Sequence, residues 1–145
     1  MDSPEVSLLL VEDDYLDIKN VERELKKINV NLPLHIARNG REALAMLRGE
    51  GMPKLNPMPS VVMLDINMPK MNGIELLTEI RKDPELKDLN VFIMTTSSEE
   101  TDRLAAQNLK VSGYIEKPLT FDSFGGAHGS TIDSFSLFLD LLKLK

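Results

Sequence analysis

The sequence predicts an α/β fold, a doubly wound parallel sheet with helices on both faces. Short apolar runs recur along the chain, and segments with helical spacing of apolar residues separate them. This alternation is typical of β-α-β units, whose strands pair in parallel. The chain has 145 residues and 42% hydrophobic side chains, enough to bury a two-sided core. We therefore expect one domain over residues 1–145.

Apolar runs and their spacing predict the individual elements. The strands are expected at residues 6–11, 34–37, the run before Asp65, 90–94 and 111–115. The first helix should span about 15–27, the second should begin at a cap on Asn39 and end at Gly49, and a fourth should start near Glu99. The inner faces of the first three helices are Ile18, Val21, Leu25 and Ile28, then Ala43, Leu44 and Leu47, then Ile74, Leu77 and Ile80.

Two segments interrupt this rhythm. Residues 50–59 contain three prolines and are expected to form a loop. Residues 122–130 are rich in glycine and serine, and we expect them to form a second loop before a last helix at about 131–143.

The last predicted helix carries two apolar stripes on nearly opposite sides. Only one stripe can face the sheet. Leu137, Leu141 and Leu144 form the outer stripe, which predicts a homodimer or partner interface. The alternative is that the Gly-rich loop folds over this stripe within the same domain.

Composition narrows the classes of function. The net charge of -6 and the pI near 4.9 disfavour broad attraction to nucleic acid or to anionic membranes. The start of the chain does not resemble a signal peptide, and no apolar run approaches the ~18 residues of a membrane span, so we expect a cytoplasmic protein. The absence of cysteine excludes disulfides and thiolate catalysis.

Acidic residues follow two of the predicted strands. Glu12, Asp13 and Asp14 come after the first strand, and Asp65 comes after the third. If these strands are neighbours, the carboxylates meet at one edge of the sheet, where a cation would offset their repulsion. Oxygen ligands of this kind suit Mg²⁺. Asp14 has an alternative interpretation as the cap of the first helix.

A hydroxyl and an ammonium group should reach the same edge. Thr95 and Ser97 follow the fourth strand, and Lys117 follows the fifth. A hydrogen-bond donor, a fixed positive charge and Mg²⁺ are the groups that bind and stabilise the oxygens of a phosphoryl group. Asp65 could then act as the nucleophile that carries the phosphoryl group as an acyl phosphate.

These residues resemble the receiver domain of two-component response regulators, the family of the chemotaxis regulator. The motifs are LLLVEDD near residue 8, LDINMPKMNG at 64–73, MTTS at 94–97 and GYIEKP at 113–118, and the match covers residues 6–121 in order. The resemblance implies a (βα)5 sheet with the flavodoxin-like strand order 2-1-3-4-5. The long loop at 50–59 is similar to regulators that partner phytochrome-type kinases. The long Gly-rich stretch after Pro118 departs from most receivers.

The resemblance also implies a role for each site residue. Phosphorylation would occur on Asp65, and Lys117 would bind the phosphoryl group. The peptide bond between Lys117 and Pro118 would be cis. Thr95 and Tyr114 would form the conformational switch. Tyr114 has an alternative interpretation as a half-buried strand aromatic, and it can be a core residue and a switch residue together. The implied metal ligands are Asp13, Asp65 and the main-chain carbonyl of Asn67, with Glu12 acting through water, and the side chains of Asn67 and Ser97 would tune dephosphorylation.

We therefore predict a single-domain response regulator that takes a phosphoryl group from a histidine kinase or histidine phosphotransfer protein and signals to a downstream protein. It would not be an enzyme beyond its own phosphorylation and dephosphorylation. One alternative is a degenerate receiver that binds partners without phosphorylation. Another is an aspartate-nucleophile phosphohydrolase, which usually has a second Asp where this chain has Asn67. His35 and His128 are interpreted as structural or incidental.

Overall fold

The computed structural model describes residues 7–27, 32–55, 58–66, 71–95, 108–116 and 124–126. Along the chain its elements are β1 (Leu8–Val11), α1 (Tyr15–Lys27), β2 (Leu34–Ala37), α2 (Gly40–Arg48), β3 (Val61–Asp65), α3 (Gly73–Lys82), β4 (Val91–Thr95), β5 (Gly113–Glu116) and β6 (Phe124–Gly126). The fourth predicted helix near Glu99 and the last helix at about 131–143 lie outside these residues.

The described strands form one sheet in the order β2-β1-β3-β4-β5-β6. The first five strands in this order pair in parallel, with β1 between β2 and β3. This is the predicted order 2-1-3-4-5, and the α/β prediction is confirmed. All residues of β1 and β3 are buried, as expected for central strands covered on both faces.

The core consists of two layers, one on each face of the sheet, because successive strand residues point to opposite sides. Against α1 lie Leu8, Leu10, Val61, Met63 and Phe92. Against α2 and α3 lie Leu9, Val11, Val62, Leu64 and Ile93. Ile18, Val21 and Leu25 of the predicted inner face of α1 are buried as expected, and so is the predicted inner face of α2, while Ile28 lies outside the described residues. In α3 Leu76 is buried and Ile74 is only partly so.

The predicted loop at 122–130 contains a strand, so this part of the loop prediction is wrong. Residues of β6 pair antiparallel with β5, with Phe124 opposite Ile115 and Gly126 opposite Gly113. Glycine disfavours strands, which is why the sequence favoured a loop. The open edge of β5 offers unpaired backbone groups, and an antiparallel return along that edge needs only a short connection.

Strand β5 also begins later than predicted. Its first paired residue is Gly113, not Val111. Lys110 has a φ of 59°, so the chain turns through the left-handed region just before the strand. The N–H of Ser112 then donates to the carbonyl of Val91 at 2.8 Å. Val111 stays buried although it lies outside the strand.

The caps of α2 were predicted correctly. The side chain of Asn39 accepts a hydrogen bond from the N–H of Glu42 at 2.8 Å. At the other end Gly49 has a φ of 75°, the left-handed conformation that ends many helices. These caps determine where α2 begins and ends.

Arg81 joins three segments at the end of the sheet opposite the acidic residues. Its guanidinium donates to the carbonyls of Leu109 at 2.6 Å, Lys87 at 2.7 Å, Leu89 at 2.8 Å and Lys110 at 3.1 Å. Burial lowers the pKa of this guanidinium from its ordinary value, and the charge of Asp88 opposes that shift. The side chain therefore ties α3 to the turns before β4 and β5.

Candidate phosphoryl and metal site

The acidic residues meet because β1 and β3 are parallel neighbours. Val11 lies opposite Leu64, so the residue after β1 is level with Asp65 at the end of β3. The N–H of Glu12 donates to the carbonyl of Ala37 at 2.9 Å, which extends the pairing with β2 by one residue. The sequence prediction that Glu12 and Asp65 share one edge is confirmed.

Three carboxylates form a cluster at this edge. Each of Glu12, Asp13 and Asp65 offers an oxygen, and these oxygens lie within 4.8 Å of one another. Glu12 is 0% exposed and Asp65 4%, while Asp13 faces solvent. Like charges at this spacing repel strongly when two of them are removed from water. A hard divalent cation, which prefers carboxylate oxygens, fits this donor set.

Asp14 has a different role from its neighbours. Its Oδ1 accepts hydrogen bonds from the N–H groups of Leu16 at 2.8 Å and Asp17 at 3.2 Å. The interpretation of Asp14 as the cap of α1 is therefore confirmed. Its own N–H donates to Oε2 of Glu12 at 3.1 Å, so the start of α1 also holds Glu12.

The turn into α3 lies directly against Asp65. A Cβ on Gly73 would clash with the carbonyl oxygen of Asp65, and the N–H of Gly73 donates to the carbonyl of Ile66 at 2.9 Å. Asn72 and Glu75 form a reciprocal capping box that starts the helix there. Only glycine fits this contact, so residue 73 allows α3 to start directly against the end of β3.

The two predicted switch residues lie on neighbouring strands. Thr95 is the last residue of β4, one position beyond Met94, which lies opposite Asp65. Tyr114 lies in β5 opposite Ile93 and is 5% exposed within the core layer against α2 and α3. Tyr114 is thus more buried than the predicted half-buried aromatic.

Several predicted residues lie outside the described part of the chain: Asn67, Ser97, Lys117, Pro118, His128, Leu137, Leu141 and Leu144. His35 is in the middle of β2, opposite Leu9 and away from the carboxyl edge of the sheet. Sequence reasoning did not foresee Met71, whose φ is 78° and whose carbonyl contacts Gly40. No sequence signal indicates it, since methionine rarely adopts positive φ.

The five parallel strands place the buried carboxylate of Asp65 at the end of β3, with two further carboxylates beside it. This combination of fold and site is typical of the receiver class of α/β signalling domains. The family model described as the response regulator receiver domain matches residues 8–125. The chain belongs to this family. Receiver domains are signalling phosphoacceptors and are generally not classed as enzymes.

Individual relatives agree with this assignment. The chain is 38% identical over 115 residues to the response regulator Rcp1 of Synechocystis sp., covering 79% of this chain and 78% of that one. The Mn²⁺-bound structure of Rcp1 superposes with a TM-score of 0.72 at 32% identity, covering 97% and 95% of the two chains. A two-component response regulator from Legionella pneumophila gives 0.75 at 37% identity, covering 95% and 98%.

A third relative is the phosphorylated cyanobacterial phytochrome response regulator RcpA. It superposes with a TM-score of 0.74 at 30% identity and covers 95% of this chain and 94% of its own. The resemblance to phytochrome-partner regulators is thereby confirmed. The protein is a receiver of two-component signalling, a role that implies a histidine kinase or phosphotransfer partner. The two alternatives, a degenerate receiver and an aspartate-nucleophile phosphohydrolase, are not favoured.

The predicted Mg²⁺ site is confirmed as an acidic cluster that fits a divalent cation, in a family that binds Mg²⁺. Among the described residues, no helix is both long enough and apolar enough to cross a membrane.

Proposed function

We propose that Asp65 accepts a phosphoryl group from a phosphohistidine of a histidine kinase or phosphotransfer protein. The carboxylate oxygen attacks phosphorus, the bond from phosphorus to the imidazole nitrogen breaks, and that nitrogen takes up a proton as it leaves. The observation that carries the proposal is the burial of Asp65 beside Glu12 and Asp13, with all three offering oxygens within 4.8 Å. Burying a carboxylate beside two other carboxylates costs folding free energy, so this arrangement indicates a functional site.

Mg²⁺ would be held by Asp13, Asp65 and the main-chain carbonyl of Asn67, with Glu12 acting through water. When bound, the cation neutralises charge on the carboxylates and on the phosphoryl oxygens. Glu12 is suited to a water-mediated role because other groups already hold it in place. Its N–H donates to the carbonyl of Ala37, and its Oε2 accepts from the N–H of Asp14. The assignment of Asn67 is supported by the match of LDINMPKMNG to the family motif.

The remaining site residues carry the family roles. Lys117 binds the phosphoryl group, Thr95 moves toward it, and Tyr114 follows in the switch. Asn67 and Ser97 tune the rate at which water removes the phosphoryl group. The position of Thr95 at the end of β4, on the neighbouring strand to Asp65, supports this assignment.

The partners follow from the same role. We propose a phytochrome-type histidine kinase as donor, supported by the similarity to the phytochrome response regulator RcpA. The chain would act in the cytoplasm as a single domain and signal by contact with a downstream protein. Homodimerisation through Leu137, Leu141 and Leu144 remains part of the proposal. Sedimentation of Leu141→Asp beside the parent tests it, and an unchanged mass with no partner lost would contradict it.

Phosphorylation is tested by the intact mass of the full chain after incubation with acetyl phosphate and Mg²⁺. We expect one added phosphoryl group on the parent and none on Asp65→Asn. The matched control is Asp14→Asn, which changes a nearby carboxylate outside the cluster and keeps a good helix cap. This control should be labelled like the parent.

Two results would contradict the proposal. Equal labelling of Asp65→Asn and the parent would show that the phosphoryl group goes elsewhere. A parent that binds Mg²⁺ but takes no label would favour the degenerate receiver.

A further inference from the structure

Strand β2 forms one edge of the sheet. The carbonyls of Pro33 and Ala37 accept hydrogen bonds at 2.9 Å from N–H groups in and directly after β1. Backbone groups of successive strand residues point to opposite sides, so the N–H and C=O groups of Leu34 and Ile36 point away from β1. Within the described part of the chain no strand pairs with this side of β2. The edge therefore offers hydrogen-bonding groups to an added strand.

The usual protections of an exposed edge are missing from β2 itself. Its sequence Leu-His-Ile-Ala contains no proline and no lysine, and its four residues pair with β1 in unbroken register without a bulge. Proteins use such features to prevent a strand edge from pairing with other chains. Leu34, His35 and Ile36 are only partly buried, which leaves this edge accessible.

A groove lies between this edge and α1. Its volume is about 760 Å³, which is within the range of ligand sites in proteins. Leu25, Leu32 and Leu34 form its apolar floor. Leu25 is buried, while Leu32 and Leu34 pack against the same core layer and stay partly exposed. The groove can therefore accept apolar side chains from a segment that runs along β2.

The rim of this groove is positively charged. Together with the three leucines, the basic groove consists of the α1 side chains Lys19, Arg23, Lys26 and Lys27. Lys19 pairs with Glu22 at 3.4 Å, and the two residues Arg23 and Lys27 share Glu24 at 3.9 and 2.9 Å. Lys26 forms no ion pair with any described residue. Four cations beside two carboxylates give a local excess of positive charge in a chain whose net charge is -6.

The charge of the groove and the open strand edge together indicate what binds there. A second copy that continued the sheet through β2 would place both α1 helices on one face, where their cations repel. Nucleic acid has the opposite charge but lacks the regular N–H and C=O groups that pair with a strand. An extended protein segment has these groups, and acidic residues within it match the charge of the rim.

We propose that β2 and the basic groove bind an extended acidic segment of a partner protein as an added strand. The backbone of this segment pairs with Leu34 and Ile36. On the side that faces α1, its apolar side chains lie on the three leucines and its carboxylates pair with the rim, above all with Lys26. The docking goes beyond phosphoryl transfer and does not rest on it, since the groove contains none of the clustered carboxylates.

The test measures binding of a fluorescent peptide to the full chain by polarisation, in EDTA and without a phosphodonor. The peptide has about ten residues, with Thr at every second position and Glu and Val in turn between them, so that all Glu and Val side chains share one face. We expect Lys26→Glu to bind this peptide about tenfold more weakly than the parent, because the substitution removes an attraction and adds a repulsion.

The matched control is Lys82→Glu. Lys82 is exposed in the last turn of α3, as Lys26 is in the last turn of α1, and α3 packs on the opposite face of the sheet. The same charge change there should leave the affinity within roughly twofold of the parent, since salt screens charges farther apart than about 8 Å. Equal affinities of Lys26→Glu and Lys82→Glu would overturn the inference.

Two N-methylated peptides distinguish strand pairing from attraction between charges alone. One carries N-methyl groups on Thr and the other on Glu and Val, and neither changes a side chain. In an added strand the N–H groups of one set point at β2 and those of the other set point away. Methylation of one set should therefore abolish binding, while the peptide with the other set methylated still binds. An equal effect of both sets would contradict the added strand.

Other occupants of the groove give different results. A peptide with Lys in place of Glu should not bind the parent. A single-stranded oligonucleotide that binds as tightly as the acidic peptide would overturn the proposal. Sedimentation in which Lys26→Glu, but not Lys82→Glu, strengthens self-association would place a second copy on the edge and overturn it too. Failure of Asp65 to accept a phosphoryl group would leave these results unchanged, because no phosphodonor is present.

Discussion

Replacing Arg81 by methionine should destabilise the protein by about 3 kcal/mol, because hydrogen bonds from a charged group contribute roughly 1.5–3 kcal/mol each. Two of its four bonds, to Leu109 and Leu89, are partly buried, and those to Lys87 and Lys110 are exposed. Water can form hydrogen bonds to the exposed carbonyls of Lys87 and Lys110 in place of Arg81, so most of the lost stability comes from the partly buried pair of bonds. Methionine retains much of the apolar stem, which limits the loss of packing.

The effect is measured by thermal unfolding followed by circular dichroism. For a chain of this size about 3 kcal/mol corresponds to a fall in Tm of roughly 6–12 °C. Arg81→Lys should fall between the parent and Arg81→Met, since an ammonium keeps the charge but cannot span separated carbonyls. The matched control is Lys82→Met, an exposed neighbour on α3, which should change stability by less than about 0.5 kcal/mol. A loss in Arg81→Met no larger than in this control would refute the reasoning.

Two further predictions concern charge. The pKa of Asp83 is lowered by the N–H of Glu85, which donates at 2.8 Å, and by Arg48, whose Nε donates at 3.0 Å. Because the folded pKa is the lower one, this stabilisation is present above the unfolded pKa of about 4 and is lost as pH falls through the folded value. Asp83→Asn should therefore flatten the decline of Tm below about pH 4, and an unchanged acid slope would contradict this. At the acidic cluster, Asp65→Asn should raise Tm in EDTA by removing a buried like charge, while Mg²⁺ at 100 times its Kd should stabilise the parent by about 2.7 kcal/mol and the variant far less. Equal stabilisation of both proteins by Mg²⁺ would place the cation elsewhere.

Much of the fold was predictable because apolar spacing is a local signal. The bounds of α1 and β2 agree with prediction, and so do the caps of α2 at Asn39 and Gly49. The acidic cluster was predictable too, since parallel strands bring their carboxyl ends to one edge. The cap role of Asp14 followed from its place before α1.

Errors arose where distant segments decide the local structure. β6 forms although its sequence is Phe-Gly-Gly, because the edge of β5 supplies backbone partners that no local propensity encodes. The later start of β5 depends on the turn at Lys110, whose carbonyl is bound by Arg81 on α3.

By itself, the sequence determined the β-α order, the strand that ends in Asp65 and the family to which the chain belongs. These properties depend on periodicity and on residues close together in the chain. Only the tertiary structure decided that Arg81 binds carbonyls of two separate turns and that Gly40 supports Met71 at a positive φ. Such contacts join residues far apart in sequence, and their geometry depends on how whole helices pack against the sheet.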